Sequence, residues 1–121
     1  AGGRSIERHV GQTEAQLRAR MQSLINAGKG TKAISTFKDL RTAEQAVSEV
    51  LKANAFRIKA WAIAAKTGEN LELQSDVGKI IGHGVLRGSA NIQKMRKVRV
   101  VLSFRTFNGM PYYVLTAYPV P

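Results

Sequence analysis

Apolar residues recur at helical spacing through the first half of this 121-residue chain and on alternate positions through the second. That one change of period, near residue 70, most constrains the fold. It excludes the alternating strand–helix series that winds a parallel sheet. It predicts instead an α+β domain, with N-terminal helices packed on a C-terminal antiparallel sheet. Ser5 stands where a side chain would cap a short helix running through Val10, closed by Gly11. Thr13-Glu14-Ala15-Gln16 has the spacing of a capping box, and Leu17, Met21, Leu24 and Ile25 follow on one face until Gly28. Thr42-Ala43-Glu44-Gln45 repeats the start signal before Ala46, Val47, Val50 and Leu51, in a helix ending near Asn54. A further helical stretch takes in Ile58, Trp61 and Ala62 and stops before Gly68. Ala33–Phe37 is short and fits neither period clearly.

Beyond residue 70, Leu71 with Leu73 and then Lys79–Leu86 read as two strands separated by a turn at Gly78. Val98–Phe107 reads as a long strand, and Asn108-Gly109 behind it is a strong hairpin dipeptide. Tyr112–Tyr118 returns as its partner, with Pro119 and Pro121 as stops. Simple alternation puts Tyr112, Val114, Thr116 and Tyr118 on one face and Tyr113, Leu115 and Ala117 on the other.

This length supports one domain over residues 1–121, with Ala1-Gly2-Gly3-Arg4 read as a linker remnant. Apolar residues make up 44%, which with their periodicity argues for a packed core over disorder. The chain has no cysteine, excluding disulfides, thiolate nucleophiles and Cys-based zinc sites. No apolar run approaches the roughly 18 residues of a membrane span. Lys and Arg number 19 against 8 Asp and Glu, a formal net charge of +11. Such a surface attracts polyanions and acidic proteins without specifying any chemistry. Asp76 is the last acid, and Lys79, Arg87, Lys94, Arg96, Lys97, Arg99 and Arg105 follow it unbalanced. From this run Arg87, Lys94, Arg96, Lys97 and Arg99 are the expected contacts to a polyanion's phosphates; the alternative is a sheet face kept solvated by charge.

Several motifs fail on spacing. Gly82-His83-Gly84 with Gly88 misses the last interval of a dinucleotide fingerprint and lies between strands. Gly28-Lys29-Gly30-Thr31 lacks the upstream glycine of a P-loop. Two histidines and scattered acids form no ligand pattern, so neither a metal nor another cofactor is expected. A neutral-pH acid or base needs a group titrating near 7, and histidine, at about 6.5, suits the task. His9 lies three residues after Ile6 and one before Val10, at the edge of an apolar face. A purely structural histidine would fit that place equally, and His83 has less to recommend it.

Ile6-Glu7-Arg8-His9-Val10-Gly11, Ser35-Thr36-Phe37, Thr42-Ala43-Glu44, the Val98–Leu102 strand and Tyr112–Pro119 fall in register with one known pattern. Together they resemble the bacterial RNase A-like toxin domain found at the C-termini of contact-dependent growth inhibition proteins (CdiA) and other polymorphic toxins. The likeness runs from Gly2 to Pro119, and the pairing of the two end motifs is what makes it specific. It implies an RNase A-like fold without that enzyme's disulfides, and metal-free cleavage of RNA, with tRNA the expected target. It places the family's functional residues on His9, Arg20, Thr116 and Tyr118, with Arg18 the near alternative to Arg20. One departure stands out: the family often has a histidine where this chain has Arg4.

The resemblance further implies delivery from the cell surface as the C-terminal part of a larger effector, action in the target-cell cytoplasm, and a cognate immunity protein. The charge predicts that this partner is acidic where it touches the domain. The competing expectation is a basic RNA-binding domain without catalysis, in which His9 and the last strand are structural.

Overall fold

A computed structural model describes Ile6 and residues 8–121. From Glu14 on, three helices and six strands follow in the order α1 (Glu14–Asn26), β1 (Ala33–Phe37), α2 (Leu40–Ala53), α3 (Ala55–Ala64), β2 (Asn70–Asp76), β3 (Gly82–Leu86), β4 (Ile92–Met95), β5 (Lys97–Ser103) and β6 (Tyr113–Val120). The strands form two antiparallel three-stranded sheets, ordered β1-β3-β4 and β2-β5-β6. The α+β class agrees with the sequence reading. The layout is richer, because the helical half contributes β1 and the strands divide between two sheets.

Local chemistry explains most boundaries. Thr13 caps α1 with the full reciprocal capping box, Gln16 N donating to Thr13 Oγ1 and Thr13 N to Gln16 Oε1. The second start signal is misplaced, however. Asp39 caps α2 by accepting from Thr42 N at 2.7 Å, so Thr42 is the third helical residue and not the cap. The short N-terminal helix also ends early. Ile6 is helical, but Arg8 and His9 form a turn and Val10 bridges to Phe37 in parallel. Ser5 and Arg4 lie outside the described residues. β3 begins at Gly82 rather than Lys79, and β5 ends at Ser103 rather than Phe107; Phe104 still bonds the turn before β2, its N donating to Glu69 O and its O accepting from Gly68 N. Asn108 and Gly109 both take positive φ, 50° and 77°, as a tight hairpin turn requires.

Pro119 does not stop the last strand. It pairs with Val98, and its carbonyl accepts from Ser35 Oγ of β1 at 2.6 Å. A residue's N and C=O point to the same side in an antiparallel ladder, so the proline nitrogen also faces away from β5, where no ladder bond is lost. The same contact locks the two sheets edge to edge, β1 against β6. Glycines make the approach possible. A Cβ at Gly82 would collide with the Thr36 carbonyl and come within 3.0 Å of Pro119 Cγ.

The main core lies between α2, α3 and one face of the second sheet. It gathers Val47, Val50 and Ile58 with Leu73, Val98, Val100, Leu102 and Ala117. A smaller core, Leu17 and Met21 on Ile34 and Val85, seats α1 on the first sheet. The expected face pattern of the last strand fails at one residue. Val101 pairs with Thr116, but Leu102 pairs with Val114, leaving Leu115 as a bulge. An extra residue reverses the alternation. Tyr112 and Val114 therefore pack on the core with Ala117, while Thr116 and Tyr118 take the opposite face.

Candidate active site

The junction of β1 and β6 carries the candidate site. Backbone bonds pin His9 there: Phe37 N donates to His9 O at 2.6 Å, Gly11 N to Phe37 O at 2.9 Å, and Gln12 N to Thr36 Oγ1 at 3.1 Å. Gly11 takes φ +67°, the left-handed region that favours glycine, and turns the chain away from β1 into α1. Ile6 and Val10 pack against the main core, leaving His9 half-buried at its edge. His9, Arg20, Ala33, Ile34, Ser35 and Tyr118 then line one cavity of about 210 Å³. The His9 and Tyr118 rings lie 5.4 Å apart between centroids, tilted by 46°.

Three of the four expected catalytic residues thus meet, drawn from an N-terminal turn, α1 and β6. Thr116 does not line the cavity. It stands two residues before Tyr118 on the same face of β6, opposite Val101. Arg18 is committed elsewhere. It pairs with Glu14 at 2.8 Å and donates to the Ser89 and Ala90 carbonyls, tying α1 to the β3–β4 turn. His83 lies on β3 between Thr36 and Lys94, away from the cavity.

Burial, the Arg20 charge and the Arg8 charge, in that order, hold the His9 imidazole below its ordinary 6.5. Each disfavours the protonated form. His9 is therefore neutral at pH 7, the state able to take a proton. Among the described residues, no three His, Asp or Glu side chains gather as metal ligands.

The five expected RNA contacts divide. Arg99 reaches the site, its guanidinium 6.0 Å from the centroid of the Tyr118 ring and its Nη2 donating to Gln74 Oε1 at 3.0 Å. Lys97 lies two residues earlier on the same strand face, opposite Asp76. Arg96 is exposed between β4 and β5, and Lys94 is exposed on β4. Arg87 braces the loop before β1, donating to Lys29 O at 2.9 Å. No local pattern announces Gln74 or the β1 wall. For the latter, Ser35-Thr36-Phe37 was the one available signal.

Comparison with known proteins gives the family. A family model described as "Bacterial CdiA-CT RNAse A domain" matches residues 3–119. The structure superposes on a solved CdiA-CT/CdiI complex from Y. kristensenii with a TM-score of 0.83 and 31% identity, covering 96% of this chain and 97% of that one. No curated protein gives a significant sequence match. The chain belongs to the bacterial CdiA-CT RNase A domain family, a disulfide-free toxin domain of RNase A type.

Proposed function

We propose that this domain cleaves RNA, tRNA foremost, by 2′-OH transphosphorylation without a metal ion. The observation that supports it best is the meeting of His9, Arg20 and Tyr118 around one cavity. Neutral His9 takes the proton from a ribose 2′-OH. The oxygen attacks the adjacent phosphorus, the bond to the 5′ oxygen breaks, and the products are a 2′,3′-cyclic phosphate and a free 5′-OH. Arg20 offers several fixed donors to the non-bridging oxygens as charge grows on them. Tyr118, whose phenol is an O–H donor, supplies the proton that the departing 5′ oxygen takes up. Thr116 donates to the same phosphate from the next outward position of β6. Arg99 and Lys97, with Arg87, Lys94 and Arg96 further off, hold flanking phosphates and make binding salt-dependent.

In this reading the domain is the C-terminal part of a larger effector and acts in the cytoplasm of the target cell. A cognate immunity protein with an acidic contact surface silences it in the producer, associating fast at low salt. Incubating tRNA with the domain in EDTA, beside a His9→Ala variant, tests the catalytic part. Wild-type cleavage and variant inactivity are expected. Intact tRNA with the wild type would favour the non-catalytic RNA-binding alternative, and equal cleavage by both would remove His9 from the chemistry.

A further inference from the structure

The other end of the molecule carries a surface that RNA cleavage does not use. α3 is apolar on two sides. Ile58 and Trp61 turn to the core, yet Phe56 is 91% and Ile63 81% exposed. Phe56, Lys59, Ala60 and Ile63 line one continuous depression on the outer side. A second groove, about 390 Å³, runs beside it between Leu51, Ile58, Ile63 and Tyr112. The loop after β5 packs here too, with Phe104 and Tyr112 both against the Trp61 ring. The tip of that loop exposes Phe107 and Met110.

The charges nearest this patch along the chain are mostly of one sign. Between Glu49 and Glu69 the chain carries Lys52, Arg57, Lys59 and Lys66 and no acid, and Arg105 adds another cation from the loop. A helix with bulky apolar side chains among cations suits the headgroup boundary of an anionic bilayer, where apolar groups enter the acyl region and cations meet phosphates. We propose that the outer face of α3, with the adjoining Phe107–Met110 tip, docks on an anionic lipid surface. A second copy would set these cations against their own kind. RNA could stack on Phe56 and Phe107 but would gain little from Ile63, Ala60 and Met110, which offer no π-face for a base. Docking leaves the candidate active site free, because α3 packs on the core side of the second sheet and Tyr118 lies on the reverse.

Flotation of the 121-residue domain with phosphatidylcholine vesicles, with and without 30 mol % phosphatidylglycerol, tests this directly. A charge of +11 alone would attract the domain to the anionic vesicles, so a Phe56→Ser/Ile63→Ser double variant decides the matter. Both side chains are exposed, and thermal melting checks that the variant folds. Binding only to the anionic vesicles, weakened about tenfold or more by the double substitution with tRNA cleavage unchanged, is the expected result. Equal binding by both proteins would overturn the proposal by reducing the attraction to net charge. So would a double variant that keeps its vesicle affinity but loses self-association, RNA affinity or immunity-protein affinity.

Discussion

The two faces of the β2-β5-β6 sheet divide the work of the molecule. One face presents Leu73, Val98, Val100, Leu102 and Ala117 to α2 and α3 and is sealed from water. The other presents Gln74, Arg99, Thr116 and Tyr118 and meets His9. The strands are the same, so in the proposed function neighbouring residues serve stability and chemistry in turn. Leu115 is the point where β6 exchanges one duty for the other. Before the bulge Tyr112 and Val114 pack inward; after it Thr116 and Tyr118 face out. Substitutions on the two faces should therefore fail in different ways.

The largest effect is expected at His9. His9→Ala should lower kcat/KM for tRNA by about 10²–10⁴-fold, the usual contribution of a general base, while the urea midpoint moves little. Leu102→Ala should do the reverse. It should cost about 2–5 kcal/mol of stability, because a fully buried side chain leaves a cavity, with kcat per folded molecule retained below the unfolding transition. A large loss of kcat in folded Leu102→Ala would break the separation of the two faces.

Smaller effects sharpen the comparison around the cavity. Arg20→Gln should reduce kcat/KM by about 10²-fold as the phosphate loses its charged donor, whereas Arg18→Gln should leave turnover near wild type and loosen only the β3–β4 turn. Parallel kinetics on the two variants decide between the arginines. The pH profile adds a charge-specific readout. His9 titrates below 6.5 because of burial, Arg20 and Arg8, so the acid limb of kcat/KM should fall below pH 6.5. Arg20→Gln should move that limb upward. The same shift has a stability consequence. Between the folded pKa and about 6.5 the unfolded chain binds more protons, so the His9 contribution to stability is present above 6.5 and is lost as pH falls through that window. Denaturant titrations across the window should show it, and His9→Ala should lack it.

Much of the fold could be read from single residues with local causes. Thr13 with Gln16 marked the start of α1, and Asn108 with Gly109 marked a turn, because those features depend on a few neighbouring atoms. Other elements depended on distant partners. Thr42 resembles a cap, but Asp39 reaches its amide first. β1 is five residues long and becomes a strand only by pairing with β3. Pro119 stays in β6 because its carbonyl meets Ser35 across the sheet junction. No local pattern announces the Leu115 bulge, so the face reversal was invisible. The site itself combines His9, Arg20 and Tyr118 from remote segments, and only the family resemblance joined them beforehand.

Attack by a ribose 2′ oxygen is the central chemical claim, and one substrate comparison tests it most directly. A DNA oligonucleotide carrying a single ribonucleotide is offered in EDTA beside the same strand with that 2′-OH methylated. Cleavage after the ribonucleotide, ending in a 2′,3′-cyclic phosphate, and an intact methylated strand are expected. Cleavage of the methylated strand, or a linear phosphate end formed without a cyclic precursor, would contradict it.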